Sequence, residues 1–394
     1  MSPTEQLEIL TRNAVEVLPE GELERKLALG RPLRVKLGLD PGADHVTLGW
    51  AVQLRKLRAF QDLGHMAVLI VGDYTAQIGD PSLRANTRPM LSKEQVEAHA
   101  AHVLDQFALV LSSENLEIRR NSEWLESLGT KGTLELATHY TVARMLERDD
   151  FAKRFAENIP ISIRELLYPL LQGYDSVAVR ADVELGGTDQ HFNLMVGRHL
   201  QRIYGQDPQV VLTSPLIEGT DGVHAMSQSR GNYIGITEPP DEIFGKVMSL
   251  PDELMEKYFR LTTDLSEAEI ADALALPPQG AKRVLAEQVV KQYHGAEAGT
   301  GARARFDQLF VDHLVPEDVD EVVIPDACLE GDKVYLPRLL AAIGLAGSTS
   351  EARRLIAQGG VHVGEATIDT EEVSVDDLRK QVVRVGKRRF VRLV

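Results

Sequence analysis

A single cysteine, Cys328, occurs in 394 residues. That excludes a disulfide framework and any cysteine-based zinc site. No apolar run approaches the roughly 20 residues that span a bilayer; the longest clean one lies near Met66–Val71. Met1–Glu5 is polar and acidic, without the basic-then-apolar character of a secretion signal, so a cytoplasmic location is expected. Glycines at the predicted strand ends match neither GxGxxG nor GxxxxGKS/T, which removes the dinucleotide and P-loop readings. Positive charge is short as well: 43 Lys+Arg face 59 Asp+Glu, a net charge of −16. This balance argues against a chain that grips nucleic acid along its whole surface. Internal repeats and low-complexity tracts are missing.

What is present is a globular, multidomain pattern. Hydrophobic residues make up 43%, enough for real cores, and the length suits two to four domains at roughly 100–200 residues each. Ser2-Pro3-Thr4-Glu5 reads as a capped helix start. Leu33–Leu39 has a strand pattern that stops at Asp40-Pro41-Gly42, and a helix follows with Trp50, Leu54 and Leu57 on one stripe. Met66–Val71 is continuously apolar, as in a strand buried on both faces. Strand, helix and strand in succession predict a parallel βαβ unit. Ligands bind such sheets at the carboxyl ends of the strands, here Asp40–Gly42 and Asp73–Asp80. Residues 90–160 read as mostly helical. Asp182–Leu185 and Val210–Leu212 are further strand candidates, and helices dominate from Pro239-Pro240 to about Phe310. Val315–Asp332 is an acidic linker.

The last sixty residues differ. Ser348–Glu351 opens a helix with Arg353 and Arg354 outward, and Val361–Val363, Val382–Val385 and Phe390–Leu393 alternate like strands of a small sheet. From Tyr335 onward ten Lys+Arg meet seven Asp+Glu, net +3, leaving 33 against 52, net −19, in the rest.

Gly38, Gly42, Gly49, Gly186 and Gly187 sit where a ligand must approach the backbone closely, and Asp189 suits ribose hydroxyls. The same residues also fit plain turns and caps. Tyr168, Gln172 and Asp175 fall at i, i+4 and i+7, on one helical face flanked by Leu166, Leu167, Leu170 and Leu171. That face is either solvated or holds a polar ligand.

YPLLQGYDSVAVRADVELGGTDQHFNLMVGR (Tyr168–Arg198) resembles the tyrosine-binding core of bacterial tyrosyl-tRNA synthetases, class I enzymes. VKLGLDP, FQDLGH, GDYTAQIGDPS, NSEWL and GNYIGITEPP resemble the same family in the same order, and the C-terminal segment resembles its S4-type RNA-binding module. The resemblance implies an α/β fold: a Rossmann-like catalytic domain over 1–234 with a helical insertion at about 90–165, a helical domain over 235–325 and a small α+β S4-like domain over 333–394. It implies that Tyr168, Gln172 and Asp80 hold the α-ammonium of tyrosine or a close analogue. Asp175 would accept from the phenol, and Asn121 would join the substrate set. Lys36 stands where many members have a tyrosine sharing the phenol contact. Gln190 would lie near the amino-acid carbonyl, Asp189 would bind ribose, and Gly38, Asp40, Gly49 and Gly187 would border the nucleotide. ATP with Mg would be a substrate, with no tightly bound cofactor and no resident metal. The implied partners are tRNA and a second copy of the chain, and no membrane.

The catalytic motifs depart from the family pattern. The HIGH-type motif reads Thr47-Leu48-Gly49-Trp50, the KMSKS-type motif reads Ala225-Met226-Ser227-Gln228-Ser229, and Gly42 replaces the threonine after Asp-Pro. Both histidines and both lysines are gone, all on the phosphate side. Removing one preorganised donor typically costs about 10²–10³ in rate; losses within one unit do not add, yet a drop of about 10⁴ or more in tyrosine activation is expected. The expectation is a protein that binds tyrosine but activates it weakly or not at all. The alternative is an active ligase using Arg84, Arg88, His45, His224 or Arg230 on the phosphates. In the C-terminal module Arg353, Arg354, Lys387, Arg388, Arg389 and Arg392 either contact RNA phosphates or form a solubilising face.

Overall fold

The computed structural model of the protein describes residues 1–41, 45–79, 92–310, 321–364, 366–386 and 389–394. They form two compact units, Met1–Ala296 and Glu297–Val394. The helical stretch from 235 to 296 therefore shares one unit with the sheet that precedes it.

The first unit is built on a six-stranded sheet. Its strands are β1 (Glu16–Leu18), β2 (Arg34–Leu39), β3 (Met66–Val71), β4 (Leu116–Arg120), β5 (Val183–Gly187) and β6 (Val210–Ser214), in the order β1-β6-β5-β2-β3-β4. All neighbours are parallel except β1 with β6. β3 is wholly apolar, and β3, β5 and β6 are buried on both faces, as in a covered parallel sheet. From β2 the chain builds outward through β3 and β4, then returns to lay β5 and β6 on the other side. The switch point, and with it the ligand crevice, lies between β2 and β5.

The helix Leu48–Asp62 connects β2 to β3. It buries Leu48, Ala51, Val52, Leu54, Leu57 and Phe60, and leaves Trp50 half-buried at its first turn. The helix Ile163–Val179 starts at a capping box of Ser162 and Glu165 and packs against the helix His191–Ile203. The packing is close at Gly173, where a Cβ would lie 3.0 Å from Leu200 Cδ1 and 3.1 Å from the Gly197 backbone nitrogen.

In this six-stranded sheet two strands escape the sequence pattern. β4 (LEIRR) falls inside the stretch expected to be helical. It is a half-exposed edge strand, and its charges hide the alternation. β1 has three residues and closes the opposite edge.

In the second unit, strands β7 (Glu321–Val322), β8 (Leu329–Glu330), β9 (Lys333–Tyr335), β10 (Val361–Val363), β11 (Ala366–Thr367), β12 (Glu372–Ser374), β13 (Val382–Val385) and β14 (Arg389–Leu393) form two small sheets, ordered β11-β10-β13-β14-β7 and β12-β9-β8. The helices Leu336–Ala342 and Thr349–Ala357 supply Leu339, Leu340, Ala352 and Ile356 to a core shared with Val361, Val383 and Val385. Among the described residues no helix is long and apolar enough to cross a membrane.

Candidate active site

A cavity of about 650 Å³ opens at the carboxyl ends of β2, β3 and β5. Gly38 and Asp40 reach it from β2, Gly72 and Thr75 from β3, and Gly186, Gly187, Asp189 and Gln190 from β5. Tyr168, Gln172 and Asp175 line it from the helix Ile163–Val179, so the polar stripe faces a ligand space rather than bulk solvent.

These groups are wired together. The Tyr168 hydroxyl donates to Asp40 Oδ2 at 2.9 Å, and the Thr75 hydroxyl donates to Asp40 Oδ1 at 2.7 Å. Asn121 Nδ2 donates to Thr75 Oγ1 at 2.9 Å and to Asp175 Oδ2 at 3.4 Å. Trp124 Nε1 donates to Asp175 Oδ1 at 2.8 Å. Gly72 is required here: a Cβ would lie 2.1 Å from Asp40 Oδ1. A second strand of contacts runs from Gln172 Oε1 to Asn193 Nδ2 (3.0 Å), on to Gln190 Oε1 (3.0 Å), and from Gln190 Nε2 to Asp189 Oδ2 (3.0 Å). Gly187 lets Asp189 fold back, since a Cβ there would meet its Oδ1 at 2.4 Å.

Asp175 is fully buried, and burial pushes its carboxyl up to about 7 against the opposing pull of the Lys36 charge and of the Trp124 and Asn121 hydrogen bonds. Lys36 itself does not line the cavity. Its ammonium is completely buried and donates to the Gln172 carbonyl (2.9 Å) and Ser176 Oγ (2.8 Å), with Glu184 Oε1 at 2.7 Å. Two hydrogen bonds and one ion pair thereby occupy the ammonium. Lys36, placed with the substrate-binding residues from sequence, sits beneath the pocket rather than in its lining.

The opposite wall is different in kind. Gly49 and Trp50 line it from the helix Leu48–Asp62, facing Ala225, Met226, Ser227, Ser229 and Arg230. Thr47 does not line it: its Oγ1 accepts from the Trp50 backbone N–H at 3.4 Å and caps the helix. Gln228 is also outside the lining, and its amide donates to the His45 carbonyl at 2.5 Å. The His45 ring stacks near Tyr233, with centroids 6.1 Å apart, and His224 Nδ1 lies 3.2 Å from Asp221 Oδ2. Neither histidine lines the cavity, unlike Arg230, the other substitute contact offered in the described residues. Among the described residues Arg230 is the only Lys or Arg that does. Gly42, Asp80, Arg84 and Arg88 lie outside the described residues.

Residues 28–311 match the family described as tRNA synthetases class I (W and Y), and residues 336–376 match the S4 domain. The chain belongs to the tyrosyl-tRNA synthetase family. The tyrosine–tRNA ligase of Moorella thermoacetica is 50% identical over 398 residues, covering 98% of this chain and 95% of that protein. That of Thermotoga maritima is 49% identical over 399 residues, covering 100% and 98%. Among solved structures, the tyrosyl-tRNA synthetase of Archaeoglobus fulgidus complexed with L-tyrosine shares the fold, with a TM-score of 0.63 at 24% identity over 76% of this chain and 99% of that one. So does the truncated mitochondrial enzyme of Aspergillus nidulans, with a TM-score of 0.64 at 19% identity over 78% and 94%. The class I synthetase fold ending in an S4 module, expected from the sequence, is what these matches show.

In this family member several pocket groups were not singled out from sequence: Thr75, Trp124 and Asn193, which hold Asp40, Asp175, Gln172 and Gln190, and Gln53, which lines the cavity. Thr75 and Trp124 sit inside the segments GDYTAQIGDPS and NSEWL, where the family resemblance was already concentrated. Among the described residues no group of three or more His, Cys, Asp or Glu is arranged to hold a metal ion. In the S4 module, Arg353 Nε donates to the Tyr335 hydroxyl at 3.0 Å and lies 3.3 Å from Glu371, and Arg389 is 3.6 Å from Glu351. Acidic neighbours thus answer two of the candidate RNA contacts. Arg354 is exposed on the helix Thr349–Ala357, while Lys387 and Arg388 lie outside the described residues.

Proposed function

We propose that this chain is an ATP-dependent tyrosine–tRNA ligase that activates tyrosine on substitute phosphate contacts, and does so slowly. The observation that supports it most is the hydrogen-bond chain from Tyr168 through Asp40, Thr75 and Asn121 to the buried Asp175. It is a preorganised polar floor, rigid because its members satisfy one another, and suited to a polar ligand. The tyrosine phenol sits against Asp175, and its α-ammonium lies toward Tyr168 and Gln172; the family resemblance gives Asp80 the same role. A site built for a hydroxyl rejects the analogue lacking it strongly, and the tyrosyl enzymes are themselves the standing illustration of that asymmetry. The carboxylate attacks the α-phosphorus of ATP, pyrophosphate leaves, and a tRNA hydroxyl then takes the tyrosyl group from the adenylate with release of AMP. Mg arrives with ATP as part of the substrate. Arg230 answers the phosphate charge from the cleft wall, with Arg84 and Arg88 completing the set, because arginine pairs with phosphate bidentately. Asp189 holds the ribose. The chain works as a homodimer, with its S4 module on tRNA. That relatives about 50% identical along their whole length are named tyrosine–tRNA ligases supports catalysis over its loss.

A second reading, a tyrosine-binding protein without activation, is favoured by the reassignment of Thr47 to a helix cap and of Gln228 to the His45 carbonyl. Tyrosine-dependent ATP–pyrophosphate exchange beside calorimetric titration with tyrosine separates the two. Binding with exchange supports the ligase, binding without exchange supports the second reading, and no tyrosine binding removes both.

A further inference from the structure

A second cavity, of about 860 Å³, lies in the first unit on the other side of the helix Leu48–Asp62. Gly49, Trp50, Gln53 and Leu54 line the active cleft, while Val52, Arg55, Lys56 and Ala59 line the second cavity. Its other walls include the end of the helix Pro3–Thr11, the segment 260–265 and the helix Pro278–His294. Six cations line it, Arg12, Arg55, Lys56, Arg58, Arg260 and Lys291. Three acids do, Asp62, Asp264 and Glu269, so the lining is net positive in a chain of net charge −16. The arginines have carboxylate partners: Arg12 pairs with Glu267, Arg55 with Asp264, Arg58 with Asp62, and Arg260 with Glu256 and Glu267. Each of these carboxylates is more than half exposed, so the pairs are weak and open to exchange. The two lysines have no carboxylate partner among the described residues. Lys56 Nζ donates to the Leu10 carbonyl at 2.9 Å and the Arg12 carbonyl at 2.6 Å, which leaves one N–H. Burial, helped by the Arg12 charge, lowers its ammonium to about 8. The Ser214 hydroxyl, from the cavity wall, is buried without a hydrogen-bond partner. Ile9, Leu109, Val110, Leu261 and Leu265 add apolar lining. A half-buried ammonium beside another cation and without a counter-charge is stabilised by an anion that reaches it.

We propose that this cavity is a second ligand site, for a small phosphate monoester with an apolar body, whose phosphate meets Lys56 and Lys291. A phosphate dianion matches two cations that lack carboxylates, and arginines whose partners are exposed can turn forked donors to it. The apolar lining takes the body of the ester. The volume is that of a small-molecule pocket, and helices wall it, which favours a compact ester over an RNA backbone. The site stands apart from the cleft and does not depend on whether the chain activates tyrosine.

Phenyl phosphate is the probe, titrated by calorimetry into the full-length chain at about pH 8, where its phosphate is a dianion. One saturable site is expected, tighter than that for phenol or for inorganic phosphate alone. Lys56 is about half neutral at that pH, so binding should draw a proton from the buffer. The uptake is read as a binding heat that varies with the buffer's ionisation enthalpy. No histidine lines the cavity, which leaves Lys56 to take the proton. Lys56→Met and Lys291→Met should each weaken phenyl phosphate by about tenfold or more, the loss of a charged hydrogen bond. Lys291 is exposed, so its variant keeps the test decisive if Lys56→Met fails to fold. Lys56→Arg keeps a charge that does not titrate; it should still bind while the proton uptake disappears. Arg230→Ala, in the active cleft, should leave phenyl phosphate affinity unchanged. Absence of saturable binding overturns the site, as does binding that survives both lysine changes and is lost in Arg230→Ala. A fall in tRNA affinity in the lysine variants without phenyl phosphate binding also overturns it, by marking a path for RNA phosphates. Tyrosine titrations of the same proteins keep this failure apart from failure of the ligase reading, because tyrosine affinity should be the same in both lysine variants.

Discussion

The two walls of one cleft contrast. On the amino-acid wall, six side chains from four elements meet in a continuous hydrogen-bond chain around Asp40 and Asp175. On the phosphate wall, the motif positions that should carry charge are Thr47, Trp50, Ala225 and Gln228, and two of them have been absorbed into local structure as a helix cap and a loop contact. The difference teaches that one wall is a connected polar network, while motif side chains on the other are spent on local contacts.

The contrast can be broken from beneath the intact wall. Lys36→Met leaves Glu184 buried without its partner and should cost about 3–5 kcal/mol of stability, with the added change Glu184→Gln recovering much of it; urea unfolding measures both. Next in size, Ala225→Lys with Gln228→Lys should raise pyrophosphate exchange by about 10²-fold if missing charge is what limits the phosphate wall. No gain would place the limit elsewhere. Asp175→Ala should weaken tyrosine binding by about 1–3 kcal/mol in calorimetry, and unchanged affinity would refute the pocket assignment.

A pH series sharpens the same point. The Asp175 carboxyl titrates near about 7 in the folded chain because of its burial, and near about 4 when unfolded. Between these values the folded state holds the extra proton, so stability from this group is present below about 4 and is lost as pH rises to about 7, by up to about 1.4 kcal/mol per unit. Thermal unfolding of Asp175→Asn should lack that slope. The smallest effect is expected in the S4 module. Arg354→Ala should weaken tRNA binding by under about 1 kcal/mol and flatten its salt dependence, whereas Arg353→Ala should do less because Glu371 already answers its charge.

Much of this was legible in the sequence for local reasons. Met66–Val71 announces a doubly covered strand by composition alone, and Tyr168, Gln172 and Asp175 share a face by helical arithmetic. What stayed hidden depends on distant partners. Lys36 looks like a pocket residue until Glu184, remote in sequence, takes its charge. Thr47 sits at a catalytic motif position but serves as a helix cap, a role its sequence context also fits. Trp124 reaches Asp175 across fifty-one residues. β4 escaped because an edge strand needs apolar side chains on only one side, and LEIRR supplies few.

The central claim is that tyrosine recognition persists while activation runs on a reduced set of phosphate contacts. Tyrosine-dependent ATP–pyrophosphate exchange, measured on the natural sequence and on Arg230→Ala, tests it most directly. The account predicts exchange above the tyrosine-free background, about 10²-fold or more below a family member with both motifs complete, and a further fall in Arg230→Ala with tyrosine affinity unchanged. Exchange at background in the natural sequence, or exchange indifferent to Arg230, would contradict it.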